Sequence, residues 1–389
     1  MKKILSIYYK PKIGGFNKRL HMTYEALAQN GWEVHYLSLA EFPVKHENLY
    51  FHRIPILFNK KENLLFWANF YLASVFSLLY LNLRISADLL IVFGPDYSSI
   101  SLPAKLFKKT KLVLFTWGDH FQSLLKAEKG LKKNVVLLIY RAFRYLGFRF
   151  SDINIFNSSS MSKKVKKNFR FKIRRSHILP SNIAIPQVKD REKALESIKR
   201  EFHIGENPFL ILTVGRLHPI KNLEFLLKIF SRADALLNKD NLFLFIVGDD
   251  PLTGKKEREK LESLCRALDL NNVVLTGYVK DVDIYFAAAD VFIITSKTEG
   301  APDALLEAIG YNIPCFGSDI PEIREILRDN NLLFSLDEEG IEKAASLTAK
   351  VYSDNNILTH IKSLISEERK RFSFDWKNRL CDIINQETQ

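Results

Sequence analysis

The sequence predicts an α/β protein of two domains, each a parallel β-sheet wrapped by helices. The chain has 389 residues, more than the roughly 150 of an ordinary domain. Short β-branched or aromatic runs alternate along it with longer segments of helical periodicity, which is typical of parallel sheets with helical crossovers. The pattern restarts at residue 209, after a proline-flanked polar stretch from Pro180 to Pro186. We therefore place a domain boundary in that stretch.

The first domain is predicted to contain seven strands, with helices between most of them. The strands are placed at residues 3–9, 33–39, 49–54, 88–93, 111–116, 152–157 and 176–179. A helix begins near Asn17 and ends at Asn30 and Gly31, which are typical helix C-terminal residues. The apolar run before Lys10 is too short for a signal peptide, so we interpret it as the first strand.

The second domain is predicted to contain six strands. They are placed at residues 209–214, 242–247, 273–276, 291–295, 313–316 and 332–334. Helices are predicted at residues 190–202, from Leu223 and from about Asp303. A last helix, at residues 374–386, carries apolar residues at helical spacing, namely Trp376, Leu380, Ile383 and Ile384. This helix therefore has an apolar face that needs a partner.

The composition, with 47% apolar and 26% charged residues, is that of a folded globular protein. The three cysteines, Cys265, Cys315 and Cys381, are too few and too scattered for a disulfide framework or a zinc cluster. We therefore expect a reducing compartment and no metal site.

The net charge of +13 is concentrated in a basic segment, residues 163–175, which begins at Lys163, ends at Arg175 and holds eight basic residues. Nucleic acid is a poor candidate partner, because no nucleic-acid-binding signature accompanies the charge. An anionic membrane fits better, with Phe169, Phe171 and Ile173 inserting while the cations meet lipid phosphates. The alternative is a solvated helix face and loop.

Residues 64–81 form an 18-residue stretch without a formal charge, which reaches the lower length limit for a membrane-spanning helix. Asn69, Ser74 and Ser77 weaken the spanning interpretation. We favour a buried helix of the first domain, and a membrane-surface helix remains the second alternative.

The loop after the first strand contains Gly14 and Gly15 in front of a helix. Adjacent glycines permit close approach of backbone N–H groups to a ligand, and the helix N-terminus favours an anion. The loop lacks the G-x-G-x-x-G fingerprint of dinucleotide-binding proteins, so a plain turn is an equal alternative.

Arg216 and Lys221 lie five residues apart, between a predicted strand end and a helix that begins at Leu223. Arg216 can donate hydrogen bonds to two oxygens of an anion at once, and Lys221 supplies a point charge. Cations are unfavourable at a helix N-terminus, which indicates that an anion such as a diphosphate offsets them. Two exposed surface cations are the alternative interpretation.

Glu299 and Glu307 lie eight residues apart, one before the helix that begins near Asp303 and one on its first turns. Glu299, the free backbone N–H groups and the positive end of this helix converge outside the carboxyl end of a strand. This arrangement fits a sugar phosphate, with Glu307 accepting hydrogen bonds from ribose hydroxyls. Taken alone, the two carboxylates fit equally well as ordinary helix acids.

Four segments together resemble the retaining glycosyltransferases of family 4, which have the GT-B fold. They are EGAPDALLEA from Glu299, VGRLHPIKN from Val214, PCFGSDIPEI from Pro314 and the Gly14-Gly15 loop. The resemblance covers nearly the full chain and implies two Rossmann-like domains facing a cleft. It implies an N-terminal acceptor-binding domain at residues 1–185 and a nucleotide-sugar-binding domain at 186–370. The final helix, residues 371–389, would cross back to the first domain.

The resemblance also assigns site residues. Arg216 and Lys221 would bind the diphosphate, Glu307 the ribose and Glu299 the sugar hydroxyls. Gly14 and Gly15 would approach the phosphates, and the base would lie near Gly248, Tyr278 and Val279. The donor sugar and phosphate would be surrounded by the backbone of Gly300, Ala301, Pro302, Asp303 and Ala304. No metal is required in this family, because cations and helix ends stabilise the leaving diphosphate.

The match is less regular in three places. A catalytic-site histidine usual in the family is represented here by His120, one or two places late, with Asp119 beside it. We interpret these two as sugar- or acceptor-binding groups, with a plain loop pair as the alternative. Asn312 replaces a usual glycine and tolerates the left-handed conformation. Ala301 replaces a bulkier residue, which alters the expected donor-sugar pocket.

The resulting prediction is a metal-independent, retaining hexosyltransferase that uses a UDP- or GDP-sugar, with UDP preferred and no further cofactor. The acceptor is expected to be carbohydrate or lipid-linked, as in cell-surface polysaccharide assembly. The expected location is cytoplasmic and peripheral on the inner face of the plasma membrane. Alternatives are a non-catalytic nucleotide-binding subunit of the same fold and a transferase with a soluble acceptor. A nicotinamide-dependent enzyme is disfavoured by the missing fingerprint.

Overall fold

The computed structural model describes residues 1–11, 15–56, 64–117, 131–168, 173–183, 190–238, 240–250 and 255–388. The chain divides into two compact units. The first contains Met1–Pro180 and Asp375–Gln389, and the second contains Ser181–Phe374. The chain therefore leaves the first unit after Pro180 and returns to it with its last helix.

The first unit is built on a seven-stranded parallel sheet. Its strands are β1 (Lys3–Ile7), β2 (Glu33–Ser38), β3 (Leu49–Arg53), β4 (Leu89–Phe93), β5 (Lys111–Thr116), β6 (Ile153–Phe156) and β7 (Arg175–Ile178). Their order across the sheet is β3-β2-β1-β4-β5-β6-β7. The helices that connect them are α1 (Gly15–Gln29), α2 (Leu64–Ile85), α3 (Pro95–Ile100), α4 (Leu102–Lys108), α5 (Leu131–Phe150) and α6 (Ser159–Asn168).

The second unit is built on a six-stranded parallel sheet. Its strands are β8 (Phe209–Val214), β9 (Leu242–Val247), β10 (Val273–Gly277), β11 (Val291–Ile294), β12 (Cys315–Ser318) and β13 (Leu333–Phe334), in the order β10-β9-β8-β11-β12-β13. Its helices are α7 (Arg191–Phe202), α8 (Leu223–Leu237), α9 (Lys256–Ala267), α10 (Asp283–Ala288), α11 (Asp303–Gly310), α12 (Pro321–Arg324), α13 (Glu338–Ser353) and α14 (Asn355–Phe372).

The last helix, α15 (Trp376–Thr388), packs against α1 in the first unit. Trp376, Leu380 and Ile384 are buried along one side of it, and Lys377 Nζ lies 2.9 Å from Glu25 Oε2 of α1. The apolar face expected on this helix therefore has its partner within the first unit.

All thirteen predicted strands are present among the described residues, and their ends differ from the predicted ones by no more than two residues. The clearest shift is in β12, which was predicted at residues 313–316 but is formed by Cys315–Ser318. Asn312 has a φ of 57°, the left-handed conformation expected there, and Pro314 has no N–H to donate. The ladder with β11 therefore begins at Cys315, opposite Phe292.

Residues 64–81 form most of α2, as expected for a helix of the first domain. Phe70 and Leu78 are fully buried in the core beneath it. The stretch Leu65–Ile85 is nevertheless long and apolar enough to cross a bilayer by length and composition. Because the inner side of α2 is part of this core, the helix is packed against the sheet of the first unit.

The predicted insertion of Ile173 into a membrane is wrong. Ile173 is 5% exposed and packs in the core of the first unit. Phe169 and Phe171, the other two residues predicted to insert, lie outside the described residues. The exposed cations of the same segment that the structure describes include Lys163 and Lys166 on α6.

Candidate functional site

The sheet of the second unit reverses its strand order between β8 and β11. These strands are neighbours, with Val291 opposite Ile211 and Phe292 opposite Leu212, while β9 lies on the far side of β8 and β12 on the far side of β11. The chain therefore leaves the carboxyl ends of β8 and β11 in opposite directions. Such a reversal opens a crevice where parallel sheets commonly bind ligands.

The loop that follows β8 passes so close to the end of β9 that residue 248 must be glycine. Gly248, after β9, has a φ of 142°, and a Cβ placed on it would lie 2.0 Å from the carbonyl oxygen of Gly215. Its N–H donates to the carbonyl of Gly277, with an N···O distance of 3.0 Å. The absence of a side chain at Gly248 lets the backbones after β8 and β9 approach closely.

Lys221 ends the short 3-10 turn Pro219–Lys221, and Asn222 follows it in the left-handed conformation with a φ of 55°. The hydroxyl of Thr295 donates to the Lys221 carbonyl over 2.9 Å, and the Lys297 N–H donates to the Ile220 carbonyl over 2.8 Å. These bonds tie the loop after β8 to the loop after β11, which fixes the direction of the Lys221 side chain.

Glu299 is held in the loop after β11 by two side chains. Lys221 Nζ lies 2.6 Å from Glu299 Oε1, and the Ser296 hydroxyl donates to the same oxygen. The Glu299 side chain is 8% exposed and that of Lys221 is 24% exposed. The structure therefore brings together two of the residues predicted for the donor site, as a largely buried ion pair.

The ion pair leaves hydrogen-bonding capacity on both partners. An ammonium group has three N–H donors, and one of them is used on Glu299. Within the described residues, Glu299 Oε2 makes no hydrogen bond. Arg216 is exposed beside them and forms no ion pair with any described residue. Two cations and one carboxylate oxygen are thus available to a ligand.

A small cavity at the switch point is lined by both cations. Its lining includes Gly215, Arg216 and Lys221 from the loop after β8, together with Thr295 and Ser296 from the end of β11. The lining therefore carries two cations and polar groups, which suits an anionic group such as a phosphate.

The segment from Gly300 to Ala304 leads from Glu299 into α11. The Asp303 N–H donates to the Ala301 carbonyl over 2.9 Å, and Pro302 precedes the helix without a side-chain cap. Glu307 lies one turn into α11 and is exposed. The first N–H groups and the positive end of α11 are therefore on the same side of the sheet as Glu299.

The residues expected near the base occupy the ends of β9 and β10. Gly248 and Gly277 are joined by an isolated bridge. Tyr278 is 65% exposed, and Val279 packs partly against the core of the unit. Tyr278 is therefore the accessible ring at this end of the sheet.

Three predicted site residues, Gly14, Asp119 and His120, lie outside the described residues. Gly15 is the first residue of α1 in the first unit. The structure therefore leaves the roles assigned to Asp119 and His120 as predictions.

A carboxyl group in the first unit was missed by the sequence analysis. Asp96 follows β4, whose neighbour in the sheet is β1, at the point where the strand order of the first sheet reverses. Burial raises the pKa of Asp96 from 3.8 to about 6, and hydrogen bonds from the backbone and from Tyr71 offset part of that rise. A Gly-Pro-Asp sequence directly after the buried strand β4 was the available signal.

The surroundings of Asp96 are aromatic. The Tyr71 hydroxyl lies 3.5 Å from Asp96 Oδ2, and burial together with the Asp96 charge raises the pKa of Tyr8. Gly94 has a φ of 124°, and a Cβ there would lie 2.7 Å from Asp96 Oδ1. The carboxyl group is thus held at the switch point with a pKa raised to about 6.

Two family models match the chain. The model described as glycosyl transferases group 1 matches residues 195–372, and the model described as glycosyltransferase family 4 matches residues 13–183. Between them they span both units, and the first includes Arg216, Lys221, Glu299 and Glu307.

Similar proteins and structures carry related descriptions. An uncharacterized glycosyltransferase of Methanocaldococcus jannaschii is 27% identical over 328 residues, which are 81% of this chain and 77% of that protein. A UDP-Gal:alpha-D-GlcNAc-diphosphoundecaprenol alpha-1,3-galactosyltransferase of Escherichia coli is 31% identical over 38% of this chain and 39% of its own length.

A similar solved structure is HepE of Anabaena in complex with UDP-glucose. It is 17% identical, has a TM-score of 0.74 and covers 99% of this chain and 100% of its own. At this identity the likeness shows the fold, which is GT-B with two Rossmann-like parallel sheets, as predicted.

We expect the Lys221–Glu299 pair to be energetically coupled. Lys221→Met should lower the free energy of unfolding by about 1–3 kcal/mol, because it leaves a largely buried carboxylate without its cation. Glu299→Gln in the Lys221→Met background should restore part of that loss. Urea denaturation of the four proteins of this double-mutant cycle measures the coupling.

The exposed pair Lys228 and Glu338, whose side chains are 53% and 86% exposed, provides the matched control. Its cycle, Lys228→Met with Glu338→Gln, should give a coupling close to zero. Additive effects at Lys221 and Glu299 would contradict the ion pair.

Asp96 should make the first unit less stable as the pH rises. Its folded pKa of about 6 lies above the ordinary 3.8, so the native state binds the extra proton and loses this advantage between those pH values. Asp96→Asn removes the titration. Relative to the variant, the wild type should lose up to about 3 kcal/mol of unfolding free energy between about pH 4 and pH 7.

Urea denaturation across this pH range measures that difference. Asp382→Asn, at an exposed position on α15, is the control and should follow the wild-type profile. A wild-type profile parallel to that of Asp96→Asn would show that Asp96 titrates normally.

Proposed function

We propose that the chain, which belongs to the glycosyl transferases group 1 family, is a metal-independent, retaining hexosyltransferase that acts on nucleotide sugars. The donor is a UDP- or GDP-hexose, with UDP preferred, and the acceptor is a hydroxyl group. The observation that carries the proposal is the cluster of Arg216, Lys221 and Glu299 at the switch point of the second sheet.

The diphosphate of the donor is assigned to Arg216 and Lys221. The exposed Arg216 guanidinium can bind two phosphate oxygens in a bidentate manner, and Lys221 retains two N–H donors beyond the one used on Glu299. As the bond to the sugar breaks, negative charge accumulates on the leaving diphosphate. Fixed cations stabilise the charge where it develops, which is our reason for proposing catalysis without a metal ion.

The sugar is assigned to Glu299 and to the backbone from Gly300 to Ala304. Glu299 Oε1 is occupied by Lys221 and Ser296, so Oε2 accepts from a sugar hydroxyl. Lys221 links the two binding tasks, because one ammonium group contacts both this carboxylate and the phosphates. Retention at the anomeric carbon is proposed from the family resemblance of the Glu299–Glu307 segment.

The nucleoside is assigned to the neighbouring edge of the unit. Glu307, exposed on α11, accepts from the two ribose hydroxyls, and the base lies near Gly248, Tyr278 and Val279. The similar structures of HepE contain UDP or UDP-glucose, which supports UDP as the first nucleotide to test.

The acceptor is proposed to be a lipid-linked or cell-surface glycan precursor. The similar Escherichia coli galactosyltransferase is described as acting on GlcNAc-diphosphoundecaprenol. The basic segment at residues 163–175 fits an anionic leaflet, so we place the protein on the inner face of the plasma membrane. Asp119 and His120 are assigned to acceptor or sugar binding.

A non-catalytic subunit of the same fold would not need the side chains of the donor site. The close Lys221–Glu299 contact and the uncommitted Arg216 favour the enzyme. Incubation with UDP- and GDP-hexoses tests this choice, and the absence of both hydrolysis and transfer with every donor and acceptor would exclude the enzyme.

We expect UDP to stabilise the protein against thermal unfolding more than GDP does. A ligand at 100 times its dissociation constant adds about 2.7 kcal/mol. Scanning fluorimetry with the two nucleotides and their hexose conjugates measures the shift. A larger shift with GDP would reverse the proposed base preference.

Glu307 and Glu299 should differ in what their loss affects. Glu307→Ala should weaken UDP binding by roughly tenfold, because the ribose hydroxyls lose a charged acceptor. Glu299→Ala should lower kcat with a smaller effect on UDP affinity. Calorimetric titration with UDP and steady-state kinetics separate the two effects.

Glu367→Ala, at an exposed position on α14, is the matched control and should change neither UDP affinity nor kcat. Unchanged UDP affinity in Glu307→Ala would refute the ribose assignment.

A further inference from the structure

Three helices form one continuous layer on a face of the first sheet. Phe70 of α2, Ala104 of α4 and Phe148 of α5 belong to one buried cluster with residues of the sheet, such as Leu90 and Leu112. Because all three helices pack on the same side, their outer surfaces face away from the sheet together.

Direct contacts join the neighbouring helices of this layer. The Asn82 side chain of α2 donates to the Ala104 carbonyl of α4 over 2.9 Å. Lys105 of α4 donates to the carbonyl of Phe150, the last residue of α5, over 2.6 Å. The rings of Tyr71 and Phe143 join α2 to α5, with centroids 6.1 Å apart. The outer surface of α2, α4 and α5 is therefore one patch, which we call the outer helical face.

The outer helical face is strongly apolar. Of the 17 exposed large hydrophobic residues in the described part of the chain, 12 lie on these three helices. On α2 they form a single stripe at helical spacing, with exposed fractions between 44% and 73%, namely Leu65, Leu72, Phe76, Tyr80 and Leu83. Leu106 and Phe107 of α4 are 69% and 71% exposed, and Leu138 of α5 is 69% exposed.

Two polar residues of α2 are buried on the side opposite the apolar stripe. Ser74 and Asn82 are fully buried on the side that faces the sheet, while Leu72 and Phe76 face outward. A helix on the surface of a water-soluble domain normally places its polar residues outside and its apolar residues against the core. The distribution on α2 is therefore suited to an apolar surrounding on its outer side.

The charge of the three helices is of one sign. Their sequences contain eight Lys and Arg residues and no Asp or Glu, although the chain as a whole has 44 acidic residues. Exposed cations beside the apolar stripe include Arg84, Lys108, Arg141 and Arg149. Apolar side chains ringed by cations are typical of surfaces that bind anionic lipid.

Arg174, in the part of the basic segment that the structure describes, borders this face. Asp152, which follows α5, is shared by Lys105 of α4 at 2.6 Å and Arg174 at 3.0 Å. This carboxylate is therefore neutralised by two cations. Lys105, Arg174 and Asp152 together carry a net positive charge at the edge of the outer helical face.

We propose that the outer helical face is the membrane-binding surface of the protein and inserts its apolar side chains into the headgroup layer of an anionic phospholipid bilayer. Leu65, Leu72, Phe76, Leu106 and Phe107 enter the interface, and the surrounding cations contact lipid phosphates. The α2 helix lies along the membrane without crossing it, because Phe70 and Leu78 remain in the core of the sheet. The inference deepens the membrane attachment proposed above and does not depend on the transfer reaction.

Vesicle flotation tests the surface directly. The full chain should float with vesicles of phosphatidylcholine and phosphatidylglycerol in equal parts and remain in solution with phosphatidylcholine alone. Leu72→Glu combined with Phe76→Glu should lower partitioning by roughly tenfold or more, because two inserted side chains become charged. Both positions are exposed, so circular dichroism and thermal melting should show an unchanged fold.

The matched control places the same charges on exposed apolar positions of the second unit. Leu236→Glu combined with Leu336→Glu, at residues 47% and 37% exposed, should float like the wild type. Arg141→Gln combined with Arg149→Gln should weaken flotation and reduce its dependence on salt concentration.

Several results would overturn the proposal. Flotation of Leu72→Glu/Phe76→Glu at the wild-type level would exclude α2 from the membrane contact, and failure of the wild type to float would exclude the bilayer. If the wild type is instead dimeric by light scattering and this double variant is monomeric, a second copy of the chain covers the face. UDP-induced thermal shifts of the same proteins report on the donor site independently, so failure of the transferase assignment is distinguishable from failure of the membrane surface.

Discussion

Both units depend on the reversal of strand order within a parallel sheet, between β1 and β4 in the first and between β8 and β11 in the second. A parallel sheet needs helical crossovers, and these cover both of its faces. The loops at the carboxyl edge separate only where consecutive crossovers run in opposite directions. Asp96 lies at this point in the first unit, and Arg216, Lys221 and Glu299 lie at it in the second. The topology thus determines where charged side chains can converge.

In the second unit the converging charges must remain compatible with one another. Burying a carboxylate to 8% exposure destabilises the folded state unless a cation and further hydrogen-bond donors pair with it. Lys221 and Ser296 provide these contacts on one oxygen. Hydrogen bonds from the Thr295 hydroxyl and the Lys297 N–H to the carbonyls of the loop after β8 hold Lys221 in position. The same ammonium group retains donors for an anion. This arrangement explains why a basic residue beside a helix start and an acidic residue 78 positions later act as one site.

The sequence predicted the strands because each buried strand is an uninterrupted apolar run that ends at a turn residue, as in β4 and β11. It also grouped Arg216, Lys221 and Glu299, because the loops that carry them follow two such strands, β8 and β11. Their role in donor binding stays a prediction. Asp96 was missed, since its raised pKa arises from burial by residues distant in the sequence, such as Tyr71 of α2. Ile173 was assigned to the membrane from its alternation with basic residues. The same alternation is expected when an apolar residue packs in the protein core. Only the packing of Ile173 in the first unit distinguishes burial in the core from insertion into a membrane.

The α2 helix shows the same limit of pattern analysis. A helix that is apolar on every side gives no sequence signal for which side is buried, and Ser74 was therefore weighed only against a membrane-spanning helix. In the fold, Ser74 and Asn82 face the sheet, so neither would meet a membrane on the outer side. The Asn82 side chain bonds to the Ala104 carbonyl, the Thr110 hydroxyl and the Ala87 N–H, which places its polar atoms in the protein interior. With Ser74 and Asn82 turned towards the sheet, α2 can present leucine, phenylalanine and tyrosine outward. Ser74, which weakened the spanning interpretation, therefore does not oppose contact with a membrane surface.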